Sequence, residues 1–176
     1  LIVRPAMPWR PRITVAEIQA TEAAQLRDRM SIAARWLPRV GVLAAGAVLT
    51  FAFAPYNLWW LAVLSPAVLM WLWARTGTPR EGAKLGFSFG LGLYAAGTWW
   101  LFISIRGFGQ APIWVALLIM AALVVIMAAW QALMGFVVVR WLRPGSTSGR
   151  LLLMPAVWVI IEWWRGWFLS GFPWLS

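Results

Sequence analysis

The sequence predicts an all-α fold, a polytopic bundle of about five transmembrane helices with a cytoplasmic N-terminus. Three observations carry this. Apolar residues make up 62% of the chain and charged residues only 11%, whereas a soluble domain carries about 25% charge. Several uncharged apolar runs approach the roughly 20 helical residues needed to cross a hydrocarbon core of about 30 Å. Arginines gather in alternate gaps between the runs, the pattern of the positive-inside rule.

Residues 1–35 read as a cytoplasmic extension. Arg4, Arg10, Arg12, Arg27, Arg29 and Arg35 alternate there with prolines. Thr14-Val15-Ala16-Glu17 has the form of a capping box opening a helix toward Arg29. Met30-Ser31-Ile32 resembles an ordinary start, so residues 1–29 are expected to lie outside the folded core. Residues 36–176 are expected to form a truncated transmembrane domain with helices at about 36–54, 58–74, 85–105, 113–139 and 151–169. Pro55-Tyr56-Asn57 closes the first run. Trp59 and Trp60 at one end of the second, and Trp71 and Trp73 at the other, read as belts at headgroup level. A gap with Arg75, Arg80, Glu81 and Lys84 precedes the third run. Arg106 and Gly107 to Pro112 end it. The fourth is followed by Arg140, Arg143, a Pro-Gly-Ser-Thr-Ser turn and Arg150. These charges put the N-terminus inside, and Pro55–Trp59, the loop at 106–112 and the segment from Gly171 outside.

The formal charge of +10 is explained by topology, because the arginines do not share one amphipathic face. No nucleic-acid partner is expected. Cysteine and histidine are both absent. Their absence removes thiolate and imidazole metal ligands, a cysteine nucleophile and the usual general base near neutral pH. Nothing calls for a cofactor or metal. Gly90-Leu91-Gly92 is no nucleotide fingerprint, since no strand precedes it.

Three constellations stand out. Gly82, Gly86 and Gly90 recur every four residues and offer a small helical face for close packing. Tyr94, Trp99, Trp100, Ser104 and Arg106 lie toward the outer end of the third run. There they read as interfacial anchors or as a rim over which lipid enters. Glu162 and Arg165, spaced i and i+3, can pair within a helix. They read as a clip orienting the Gly171-Phe172-Pro173-Trp174 turn, with Arg165 able to snorkel toward headgroup phosphates, or as a headgroup site. No catalytic residue is assigned, because neither a nucleophile nor a tuned base accompanies the pair.

Three segments together resemble the membrane part of bacterial apolipoprotein N-acyltransferase. They are Phe51-Ala52-Phe53-Ala54-Pro55-Tyr56-Asn57-Leu58-Trp59; Gly86-Phe87-Ser88-Phe89-Gly90 through Trp99-Trp100 to Arg106-Gly107-Phe108-Gly109; and Pro155-Ala156-Val157-Trp158 through Glu162-Trp163-Trp164-Arg165-Gly166-Trp167 to Ser176. The resemblance implies a multi-pass enzyme of the bacterial inner membrane with a nitrilase-like catalytic domain on the periplasmic side. It implies transfer of an acyl chain from a membrane phospholipid to the N-terminal amine of a lipoprotein's diacylglyceryl-cysteine. The family's chemistry passes through a thioester on a cysteine, activated by a glutamate with a lysine beside it. No cysteine exists here, and Glu162 and Lys84 do not take those roles. The expectation is an N-terminal fragment, inactive alone. The alternatives are a small transporter or channel component, resting on the buried charges, and a non-catalytic membrane assembly subunit, resting on the glycine face.

Overall fold

The computed structural model describes residues 15–141 and 147–168; among these there are six α-helices and no strand. The helices are α1 (Val15–Leu49), α2 (Leu61–Arg75), α3 (Pro79–Gly97), α4 (Trp99–Gly107), α5 (Ile113–Trp141) and α6 (Thr147–Phe168). Thr14 of the capping box, Arg143 to Ser146 and the Gly171-Phe172-Pro173-Trp174 turn lie outside the described residues.

Contacts divide the chain between Trp36 and Leu37. The first unit contributes the N-terminal part of α1, where Ala, Glu, Gln, Leu and Arg, all strong helix formers, dominate. The helix is therefore longer than the expected run at 36–54. It also ends earlier, at Leu49, and is followed by the 3-10 turn Thr50–Ala52. The Thr50 hydroxyl donates to the Ala47 carbonyl at 2.7 Å, a side-chain bond that occupies a carbonyl of the last turn.

In the second unit, α3 and α5 form the central pair. Helix α3 starts at Pro79, before the expected 85. Thr78 caps it by accepting from the Glu81 amide, and proline occupies the first turn, where its missing N–H costs nothing. Gly82, Gly86 and Gly90 all face α5. A Cβ on Gly86 would overlap the Gln131 carbonyl, and one on Gly90 would stand 2.7 Å from the Ala128 Cα. Only hydrogen side chains permit this backbone approach. On its other side, α3 meets α1, where Gly92 lies against the Leu43 carbonyl and Gly46 against that of Phe89.

The third run is not one straight helix. Helices α3 and α4 are bent by 46° at Thr98. The buried Thr98 hydroxyl donates to the Tyr94 carbonyl at 2.6 Å, in addition to the backbone bond from Thr98 N. Threonine back-bonding of this kind commonly bends helices.

Helix α2 is tied to its neighbours by Ser65 Oγ donating to the Ala45 carbonyl at 2.7 Å and Trp73 Nε1 donating to the Gly82 carbonyl at 2.9 Å. Trp73 is only 2% exposed, which corrects its reading as a headgroup anchor. Trp71, two positions earlier, is exposed. Two residues apart on a helix is about 200° of rotation, so the two indoles face opposite ways.

The exterior is apolar. Val63 and Val68 on α2, Leu117, Leu118 and Val125 on α5, and Val159, Ile160 and Trp163 on α6 are all exposed. Among the described residues α5 is long and apolar enough to cross a membrane, and the bent α3–α4 pair passes the same test if counted as one span. Just 28% of the most apolar window of α5 is buried within the protein, whereas the core helix of a soluble domain would be mostly covered.

Candidate functional site: a polar cluster inside an apolar bundle

Helix α6 is fastened to the α3–α5 pair by aromatic edges and by one polar cluster. Trp158 meets Phe89 edge-on at 6.1 Å between centroids, and Trp164 meets Trp130 at 5.3 Å. Between these contacts the spacing of Glu162 and Arg165 puts both side chains on one face of α6. Arg165 donates to the Glu162 carboxylate through Nε at 3.1 Å and Nη2 at 2.5 Å. Gln131 of α5 donates from Nε2 to the other carboxylate oxygen at 3.2 Å. The pair is thus part of an interhelical network as well as an intrahelical clip.

Arg165 is 4% exposed and points inward, its Nη1 3.7 Å from Met127 Sδ and its guanidinium carbon 6.0 Å from the centre of the Tyr94 ring. It does not snorkel outward as the sequence suggested. Tyr94 is 1% exposed, so it belongs to this interior and not to an interfacial rim. Gln131 completes the group, with its Oε1 buried and without a hydrogen-bond partner among the described residues. The donor and acceptor inventory explains the orientation of its amide: the NH₂ end must face the carboxylate, which leaves the carbonyl end over. This arrangement can hold charge within the bundle and fix α6 against α5.

The remaining singled-out residues are not brought into the cluster. Trp99 and Trp100 are exposed on α4, and Arg106 is exposed in its last turn. Gly82, Gly86 and Gly90 form the seam under it. Sequence reasoning missed Gln131. The signal was available, since it is the one amide in the otherwise apolar interior of α5, and a polar group in such a helix needs a partner. At the opposite end of the bundle, Glu81 bonds Arg39 of α1 at 3.0 Å and Lys84 at 2.7 Å. These two cations, Lys84 foremost, hold its carboxyl below the ordinary 4.5.

Comparison with known proteins identifies the family. The family model for the apolipoprotein N-acyltransferase N-terminal domain matches residues 45–176. Curated relatives named apolipoprotein N-acyltransferase include that of Vibrio parahaemolyticus, 42% identical over 130 residues, or 74% of this chain and 26% of the relative. The Pseudomonas putida relative is 42% identical over 148 residues, covering 80% and 29%, and that of Azotobacter vinelandii is 43% identical over 148 residues, covering 80% and 28%. The chain therefore spans between a quarter and a third of the length of these relatives. With most of its length matched, this chain belongs to the apolipoprotein N-acyltransferase N-terminal domain family.

Proposed function

We propose that the chain is the membrane-embedded part of an apolipoprotein N-acyltransferase. The complete enzyme would move an acyl chain from a phospholipid to the N-terminal amine of a diacylglyceryl-lipoprotein. The observation that carries this reading is the family match over a bundle with an apolar exterior and an inward-facing ion pair. That inversion of the soluble pattern suits a lipid solvent. Helix α5 and the bent α3–α4 pair cross the bilayer, α2, α6 and the later part of α1 complete five spans, and the N-terminus is cytoplasmic in the inner membrane. Trp99, Trp100 and Arg106 then stand at the periplasmic rim, available to lipid headgroups and chains.

In this reading the chain positions lipid substrates and leaves the chemistry to other residues. The sequence contains no cysteine, so a thioester cannot form on it. Membranes holding only this 176-residue protein and no other N-acyltransferase should yield no triacylated lipoprotein, by mass spectrometry of the lipoprotein N-terminus. Detection of that product would overturn the reading. Topology is tested separately: with no native cysteine, a single cysteine at Thr78 should react with an impermeant maleimide only from the cytoplasmic side, and one at Gln110 only from the periplasmic side.

A further inference from the structure

Helices α2 and α6 do not close on each other. A groove of about 700 Å³ runs between them, within the roughly 300–1,000 Å³ of ligand-sized clefts. Val63, Ala67 and Trp71, at four-residue spacing, line one wall; Met154, Pro155 and Val159 line the other. Its lining on α2 extends from Ala62 to Ala74, twelve helical steps or about 18 Å. This is close to the depth of one leaflet, half of a core of about 30 Å.

The groove ends at a cation. Arg75 follows directly after Ala74, and its guanidinium carbon stacks 3.7 Å from the centre of the Trp71 ring. A guanidinium resting on a ring through its face keeps its N–H donors, which lie in its plane, available to other acceptors, and their fork matches phosphate oxygens. Among the described residues no carboxylate pairs with Arg75, and the acid on the same connection, Glu81, is committed to Arg39 and Lys84.

We propose that this groove binds one phospholipid of the cytoplasmic leaflet, an acyl chain lying between α2 and α6 and the headgroup phosphate on Arg75. The proposal rests on the membrane reading above. It concerns a lipid on the side opposite the proposed acyl transfer, and so a resident lipid distinct from the acyl donor. An apolar trough whose lining tryptophan, Trp71, carries a guanidinium on its ring has the polarity of a phospholipid.

The test uses the full chain, extracted from membranes in mild detergent and exposed to palmitoyl-oleoyl phosphatidylglycerol or phosphatidylcholine, with retained lipid counted by native mass spectrometry. Wild type should retain one phosphatidylglycerol. Arg75→Gln should retain about tenfold less, the loss expected when a charge-assisted bond is removed, and Arg75→Lys should recover much of it. Ala67→Trp, which fills the trough from an exposed position, should retain neither lipid. Equal phosphatidylglycerol retention by wild type, Arg75→Gln and Ala67→Trp would overturn the proposal. A benzophenone side chain at Val159 gives a second arm in intact membranes: crosslinking to phospholipid supports the lipid, and crosslinking to protein overturns it. A chain released from membranes by alkaline carbonate would overturn the membrane reading itself. A chain that stays in the membrane yet retains no lipid overturns the groove alone.

Discussion

The two faces of α5 are joined to their neighbours by opposite physical means. Against α3 the contact is made by absence: Gly82, Gly86 and Gly90 meet Gly135, the Gln131 backbone and Ala128, and the backbones come as near as van der Waals radii allow. Against α6 the contact is made by charge and aromatic edges, with Glu162 bridging Arg165 and Gln131. Under the proposed membrane reading no hydrophobic force would separate helix from solvent, and association would rest on packing and on interhelical polar bonds. This molecule uses one on each side. The glycine seam is sensitive to an added side chain, whereas the polar joint is sensitive to the loss of one of its two charges.

Removing one member of the polar joint should have the largest effect. Glu162→Ala leaves Arg165 buried without its carboxylate and should cost about 3–5 kcal/mol, measured as lost thermal stability in detergent by circular dichroism. The double variant Glu162→Leu with Arg165→Leu should regain most of that loss, because the cost lies in the uncompensated charge. If the double variant is no more stable than the single, the joint is a true net attraction and the comparison above needs revision.

The seam comes next. Gly86→Leu drives a side chain into the Gln131 carbonyl and should cost about 3 kcal/mol, the upper end for overpacking. Gly41, with nothing within 4 Å of its Cβ position, is the control, and Gly41→Ala should leave the melting temperature unchanged or slightly higher. Gln131→Leu should cost only about 1 kcal/mol, since it removes a hydrogen bond and an unsatisfied carbonyl together. A loss as large as that of Glu162→Ala would show that Gln131 carries the joint.

The smallest effect concerns Glu81, where the two cations depress the carboxyl below 4.5. A carboxyl lowered on folding contributes stability above its unfolded value, and the contribution disappears as pH falls through the folded value. The side chain is 45% exposed, so solvent screening keeps the contribution under about 1 kcal/mol. Wild type and Glu81→Gln should differ slightly at pH 7 and converge only once the pH has fallen through the folded value, which lies below 4.5. A difference that persists at low pH would assign the effect to packing.

Features written in local spacing were legible from the sequence. The four-residue glycine period announced a close-packed face, and the i, i+3 acid and base announced a pair on one side of a helix. The capped start of α3 was legible too, in Thr78-Pro79-Arg80-Glu81, but the polar gap was read as loop because hydropathy alone outlines apolar runs. The bend at Thr98 was hidden for a related reason. A hydroxyl that turns back on its own helix looks, in sequence, like any small polar residue in a span.

Composition and spacing by themselves determined that the chain is helical, that its surface suits lipid, where its small face lies and which charges share a turn. These follow from backbone periodicity and from the cost of charge in an apolar solvent. Only the tertiary structure decided which neighbour each face meets. It turned Trp73 and Arg165 inward, placed Gln131 against Glu162, and left α2 and α6 apart with Arg75 at the end of the gap. Those choices depend on which backbones come within a few ångströms of each other, and that distance is set by packing across helices far apart in the chain.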